Sequence, residues 1–462
     1  MRRAIPWLLV GLLTATVTVA TTRQSLGRYR ALRSGWSWDL AYYNQWFRAL
    51  TTGEGRVTVR PVAAYAEEGP SIWTMTYLAP IRLAIAPFYA IRPGPEALLV
   101  VHGVVFWWVI PASYMLARSE SGSTGLALAA SALVPTTPLL WPLAINDFRE
   151  LQLALPFLIW AVDGYRGRHR GLATLGIGGM LACRQELAVV VATLAILPPR
   201  EPEDIGRTYR WARGVIWLGT AWVLFGFFGY LHARVGSNAP AFYLRQFVGP
   251  RASPWQTLAT SAEFVAIGLG GWALLAAWAP RAAVLALPWV WSLAGGRWAL
   301  RFLATEQWHH VRYTAPIVGL GLAAGLIGLA RVREGGGRRA LVASWLLALA
   351  WNLAACGVIE SRLARAPAPI AAEDVGPFWA WAGRVKPEEG VLASYPVASP
   401  LSSRRILYSY VLTGNRPEGY PDRLGPEFRW VFILQGDLDP EVLRSQGFEA
   451  VHRGPSLAIF RR

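Results

Sequence analysis

The chain has 462 residues, of which 54% are hydrophobic and only 16% charged, so it is far more apolar than a soluble domain of this size needs to be. Its formal charge of +17 comes from arginines strewn among apolar runs, with Lys386 the one lysine; this suits membrane topology and speaks against a nucleic-acid-binding face. No CxxC, HExxH or Walker spacing occurs, and Cys183 and Cys356 fall in or beside apolar runs, as small buried side chains do.

Apolar runs of about 17 to 22 residues recur, roughly the helix length that a bilayer core demands. In chain order the expected spans are 5–22, 97–117, 124–142, 148–164, 171–183, 186–198, 213–232, 257–279, 281–296, 313–330 and 340–358. The fold class expected is therefore a polytopic α-helical membrane protein with about eleven transmembrane helices. Met1 to Arg3, followed by an apolar run to Ala20, is expected to be an uncleaved anchor, because Thr18 suits a cleavage site poorly.

The arginine-bearing stretches Met1–Arg3, Arg166–Arg170, Arg207–Arg213 and Arg331–Arg339 are assigned to the cytoplasm. An even number of crossings must then separate the N-terminus from Arg166. The apolar stretch Ile72–Ile91, which carries Arg82 and is interrupted by Pro80 and Pro87, is accordingly expected to lie in the outer interface. A large first external loop follows, over about 21–96. Segments 171–183 and 186–198 are short and read as a hairpin whose CRQE turn lines a cavity below the outer surface; one tilted helix over 171–198 would strand Arg331–Arg339 outside.

Beyond the membrane domain, 1–358, the composition turns to Pro, Gly and charge, and 359–462 is expected to be a small soluble extracytoplasmic α/β domain. EGVLASYPVA and FRWVFILQ read as buried strands. Asp437 or Asp439 caps a short helix ended by Gly447, and FEAVHRG with SLAIFRR forms a hairpin.

Charged residues at membrane depth usually face a cavity or a partner. Those singled out are Asp39, in GWSWDLAYYNQWFRALTTGEG; Asp147, Arg149 and Glu150, in NDFRE; Arg184 and Glu186, in CRQE; and His309, His310 and Arg312, in WHHVRY, with Arg297 and Arg301 nearby. The crossing parity puts all of them on one side of the membrane. The plainer readings are an aromatic interfacial belt around Asp39, helix N-terminal charges in NDFRE, and anchoring of a helix end by WHHVRY. His102 is expected to be a hydrogen-bonded packing residue, and Gly319–Gly325 a small-residue helix contact.

WDLAYYNQWFRALTTGEG resembles the motif that follows the first span in the predicted membrane proteins known as domain of unknown function 2079. The resemblance continues through YLAPIRLAIAPFYAIRPGPEALLVVH, LAINDFRELQLALPFLIWAVDGYRGRHRG, CRQELAVVVA, WHHVRYTAPIVG and ASYPVASPLSSRRILYSY, over nearly the whole chain. The chain departs from the family pattern at Arg149, where the family commonly has His, and at Glu67 and Glu68, ahead of the loop proline. That family is similar to the GT-C class of membrane glycosyltransferases, whose usual donor is a polyprenyl-phosphate sugar.

The resemblance implies a GT-C-like fold in the inner (cytoplasmic) membrane, an N-terminus inside, and Asp39 near a sugar-transfer centre. Its partners would be membrane lipid and a polyprenyl-phosphate sugar donor, not nucleic acid. Asp39 would act as general base or, alternatively, hold a divalent cation. Arg184, His309, His310 and Arg312 would hold the departing phosphate, Glu150 and Glu186 would orient arginines or bind sugar hydroxyls, and Asp147 and Arg149 would join the substrate-binding group. Two rivals remain open at this level: a lipid or solute transporter or flippase, which predicts inverted repeats that the sequence does not display, and a non-catalytic scaffold, for which Asp39→Asn would be silent.

Overall fold

The computed structural model describes residues 4–33, 37–53, 78–231, 253–290, 308–365, 368–410 and 424–462. Glu67, Glu68, Arg297 and Arg301 lie outside them, as do the side chains of His309 and His310. Among the described residues, four helical stretches are long and apolar enough to cross a membrane: Ile5–Arg30, Pro95–Ser121, Ile205–Tyr230 and Val311–Arg365. The other apolar helices are shorter, so the count of eleven spans is not reproduced by length and composition alone.

Helix α1 (Ile5–Arg30) is one turn or more longer than the expected span, because Arg23, Arg28 and Arg30 extend the helix past its apolar part. The first loop expected over 21–96 therefore begins later and contains helices of its own, α2 (Ser37–Thr52) and α3 (Ile81–Ile91). α3 is too short to cross a bilayer. Arg82 at its start and Tyr89 near its end both reach residues at the same end of the molecule, Glu150 and Asn44 respectively.

α4 (Pro95–Phe106) and α5 (Val109–Ser121) run back along α1. Arg30 donates to Glu96 at 3.1 Å, Trp107 to the Thr21 hydroxyl at 2.8 Å, and Trp7 meets Tyr114 edge to face. Pro135 and Pro138 break the span expected over 124–142 into α6 (Thr124–Leu133), a short 3₁₀ turn and α7 (Leu140–Ala144).

α8 (Glu150–Arg166), α9 (Arg170–Cys183) and α10 (Ala188–Thr193) settle the hairpin question by their ends. Arg166 donates to the Pro198 carbonyl at 2.9 Å, while Arg184 has extended backbone and breaks the helix. A single helix over 171–198 would separate its ends by about 40 Å, so the chain instead goes out and returns. The returning end is tied down by ion pairs: Arg166 grips Glu120 with two bonds of 2.9 and 2.8 Å, Arg200 reaches Glu120 and Asp163, and Arg168 reaches Glu203.

α11 (Ile205–Val223) follows, and the span expected over 257–279 is broken at Gly270 into Pro254–Leu269 and Gly271–Ala276. The last helical stretch, Ala315–Arg365, reverses at Gly337, whose φ of 69° favours a residue without Cβ. Its second arm pairs back on the bundle, with Asn352 donating to Thr136 and Arg362 to Glu263. Arg333, near the turn, donates to the Ser121 carbonyl, so the arginine stretches at 166–170 and 331–339 share one end of the bundle.

Among the described residues, five strands form a mixed sheet in the order β2-β1-β3-β5-β4: β1 (Gly390–Ser394), β2 (Leu407–Tyr410), β3 (Phe428–Leu434), β4 (Glu449–Arg453) and β5 (Leu457–Arg461). β4 and β5 are the expected antiparallel hairpin, and Asp439 caps the helix Pro440–Arg444 by accepting from Glu441 N at 2.9 Å. Alternation puts Val391, Trp430, Phe432 and Ile459 on one face with Phe378, and Leu392, Val431, Ile433 and Phe460 on the other with Leu443.

α2 joins the two parts. Leu40, Tyr43, Trp46 and Phe47 pack into the helical bundle, whereas Ala41 and Tyr42 pack with Leu401, Val397 and Phe378 of the α/β part. Asn44 donates to the Ser402 and Ser403 hydroxyls at 2.9 and 3.1 Å, and Gln45 to the carbonyls of Ser402 and Arg404 at 2.6 and 2.5 Å.

Candidate functional site

Two short arginine-acid sequences and the α2 helix meet at the end of the bundle opposite the arginine-rich turns. Asp39 stands in the first turn of α2 and is 6% exposed. Its carboxylate forms ion pairs with the Arg149 guanidinium and with Arg312, whose Nη1 lies 3.3 Å from Asp39 Oδ2. These partners lie 110 and 273 positions along the chain, so only the fold brings them together.

Arg149 precedes α8 in extended backbone, φ −150° and ψ 133°, and its neighbour Glu150 opens the helix; successive side chains thus point to different partners. Arg149 turns to Asp39, stacks over the Tyr43 ring at 5.3 Å and has its Nη1 3.5 Å from the Tyr43 hydroxyl. Glu150, fully buried, takes the Arg82 guanidinium on one oxygen and the Tyr43 hydroxyl on the other at 2.7 Å. Arg82 also lies over the rings of Tyr43 and Trp46, at 5.3 and 5.5 Å. A buried acid at a helix start commonly serves the helix dipole, and Glu150 does so while bridging α2, α3 and α8.

Arg184 and Glu186 pair across the hairpin turn, with Arg184 Nε donating to both carboxylate oxygens at 3.1 Å. Arg184 and Arg312 are both within electrostatic reach of Arg149. Arg312 donates to the Tyr313 hydroxyl at 3.2 Å and lies over its ring. Four guanidiniums therefore face three carboxylates in a buried cluster, an arrangement that favours an added anion.

Asp147 is not brought to Asp39. It is buried near the Arg28 charge on α1, and its backbone N–H donates to Asn146 Oδ1 at 2.9 Å. His102 is a packing residue, its Nε2 3.3 Å from the Leu143 carbonyl and its ring stacked on Phe106. Tyr43, Arg82 and Tyr313 belong to the cluster although the motifs did not single them out. Tyr43 lies one helical turn after Asp39, and an arginine inside an apolar segment is itself a warning of a buried partner.

A divalent cation at Asp39 needs several oxygen ligands. The Asp39 carboxylate instead faces two guanidiniums, and among the described residues no group of three or more His, Cys, Asp or Glu side chains gathers in a metal-holding arrangement. The described residues do not fit a cation.

The fold is similar to that of ArnT from Cupriavidus metallidurans. Against its crystal structure bound to undecaprenyl phosphate, the TM-score is 0.59 at 13% identity, with 97% of each chain covered. Against the apo crystal structure the TM-score is 0.51 at 14% identity, covering 99% of this chain and 98% of that one. The likeness is one of fold, and it agrees with the expected GT-C-like architecture. No curated protein sequence matches the chain. The family described as "Predicted membrane protein (DUF2079)" matches residues 28–441, and the chain belongs to it.

Proposed function

We propose that this chain is an integral membrane glycosyltransferase that moves a sugar from a polyprenyl-phosphate donor to an extracytoplasmic or lipid-borne acceptor. The observation that carries the reading is the buried Asp39 set against Arg149 and Arg312, on a helix wedged between an ArnT-like bundle and the α/β part. A structure of ArnT holds undecaprenyl phosphate, which makes a polyprenyl phosphate the natural lipid to consider.

In this reading the acceptor oxygen bonds to the sugar's anomeric carbon as the bond from that carbon to the phosphate oxygen breaks. The acceptor's proton passes to the Asp39 carboxylate, and the bonding pair leaves with the polyprenyl phosphate. Arg149, Arg184 and Arg312 stabilise the charge that grows on that phosphate, in a site dry enough for guanidiniums to count heavily. Glu186 orients Arg184, and Glu150 holds Arg82 and Tyr43 behind Arg149; His309 and His310, neighbours of Arg312 in sequence, are proposed to help hold the departing phosphate. Asp147, buried near the Arg28 charge, is included in this proposal as a substrate-binding residue.

The same reading takes 1–358 as the membrane domain with about eleven crossings, short helices spanning in pairs. It takes 359–462 as an extracytoplasmic domain that presents the acceptor. The N-terminus and the arginine-rich turns are cytoplasmic.

The test is sugar transfer from a radiolabelled pool of polyprenyl-phosphate sugars in membranes holding the wild type or Asp39→Asn at equal abundance. The wild type is expected to pass label to an acceptor, and the variant to do so on the order of 10²- to 10⁴-fold more slowly. Equal rates, or no transfer by the wild type from any donor, contradict the proposal.

A further inference from the structure

Five arginines are buried among the described residues: Arg82, Arg149, Arg166, Arg184 and Arg404. The first four each hold a carboxylate, that of Glu150, Asp39, Glu120 and Glu186 in turn. Among the described residues Arg404 holds none. It is 6% exposed, its Nε donates to the Leu401 carbonyl, and its Nη1 is shut off from solvent with no hydrogen-bond partner. Glu389 is within electrostatic reach, but its carboxylate accepts from the Trp430 indole N–H and the Lys386 backbone N–H, both at 2.9 Å, and not from Arg404. Burial lowers the Arg404 pKa to about 10 against the opposing pull of Glu389, so that acid does not make up for the lost water. A buried charge is ordinarily paired, and here the counter-charge is missing from the chain itself.

The position is reachable. Ser403 and Arg405, on either side of Arg404, are exposed, and Nη2 is not shut off from solvent as Nη1 is. The loop lies against α2, with Gln45 donating to the Arg404 carbonyl and Asn44 to the Ser402 and Ser403 hydroxyls. Gln45 stands six residues after Asp39, about 9 Å along the helix axis.

We propose that Arg404 is the centre of a second oxyanion site, separate from the Asp39 cluster: the Nη1–Nη2 edge of its guanidinium receives a phosphate group through paired hydrogen bonds. In the glycosyltransferase reading, on which this one consequence rests, the acceptor is an acidic molecule that the α/β part holds by its charge.

The site is read by binding, independently of transfer. The purified full chain in phosphatidylcholine nanodiscs is titrated with inorganic phosphate and, separately, prepared in discs of graded phosphatidic acid content. A ligand that binds the folded chain raises its thermal unfolding midpoint, and the rise gives an apparent dissociation constant. Arg404→Gln is expected to bind roughly tenfold more weakly than the wild type, for loss of hydrogen bonds to a charged group. Arg404→Lys keeps the charge without the fork and is expected to bind roughly threefold more weakly. Arg405→Gln, the exposed neighbour, is expected to stay within about twofold. In an Arg149→Gln background the effect of Arg404→Gln is expected to persist, since the two sites are separate.

This ranking with inorganic phosphate supports the site and assigns recognition to the phosphate alone; the ranking with phosphatidic acid only supports it and assigns recognition to a lipid-borne phosphate. Wild-type affinity in Arg404→Gln overturns the proposal, whether or not that variant unfolds earlier. Where Arg404→Gln does not fold, Arg404→Lys decides, and wild-type affinity in it overturns the proposal. An equal loss in Arg405→Gln marks diffuse surface charge and overturns it, as does disappearance of the Arg404 effect in the Arg149→Gln background or absence of binding of either probe. The expected ranking in a chain that transfers no sugar contradicts the glycosyltransferase reading and leaves the site standing; Asp39-dependent transfer without the ranking removes the site and leaves that reading standing.

Discussion

Glu150 has no exposed side-chain surface, and its partner Arg82 has almost none, so each charge depends on the other. Replacing Glu150 by Gln leaves the Arg82 guanidinium buried against a neutral amide, and removal of one member of a buried pair costs about 3 to 5 kcal/mol. Tyr43→Phe deletes one hydrogen bond to a charged group, a smaller loss of about 1.5 to 3 kcal/mol. The thermal unfolding midpoints should therefore fall in the order wild type, Tyr43→Phe, Glu150→Gln; a Glu150→Gln protein as stable as the wild type contradicts the pairing. At this scale the sequence disclosed the charges but not their partners. Asp39, Arg149, Glu150, Arg184 and Arg312 were visible because charge in apolar surroundings is costly. Arg82 carried the same signal but also argued against a span, while Tyr43 was one ring among many aromatics. The pairings themselves join residues 68 and 107 positions apart, for Arg82 and Tyr43 with Glu150, and no local spacing encodes that.

Among the elements, α2 has the most distinctive position, since one face enters the bundle and another the α/β part. The Gln45 amide supplies hydrogen bonds to two backbone carbonyls of the 402–404 loop, and leaving such buried acceptors unpaired costs about 1 to 3 kcal/mol. Gln45→Leu is expected to loosen that loop and to speed limited proteolysis within 399–405 several-fold while the bundle stays intact. An unchanged cleavage rate would show that the contact does not hold the two parts together. Element identity was legible where the pattern was strong: short apolar runs disclosed β1 and β3 as buried strands, a run-turn-run pattern the β4–β5 hairpin, and the paired short apolar segments α9 and α10. It was not legible for the helix Ala372–Ala382, whose Gly376 and Pro377 disrupt a helical pattern, or for the four-residue β2. The lengths of α1 and the helix ending at Arg365 exceeded the apolar runs because polar residues continue a helix once it has left the apolar layer.

For the molecule as a whole, the cluster around Asp39 and the turns at 166–170 and 331–339 stand at opposite ends of the bundle. The proposed function, with the positive-inside rule, puts Arg338 in the cytoplasm and the α/β part on the other side as an expectation. In a cysteine-free background, Arg338→Cys is expected to react with an impermeant maleimide only from the cytoplasmic face and Arg444→Cys only from the outer face. Reaction of both from the same face contradicts the topology. The central claim is chemical, however, and one measurement reaches it most directly: sugar transfer by the purified wild type, reconstituted in lipid with a polyprenyl-phosphate sugar, beside Asp39→Asn prepared identically. The account predicts release of polyprenyl phosphate matched one for one by glycosylated acceptor in the wild type, and a loss of both in the variant; matched turnover that survives Asp39→Asn would contradict it.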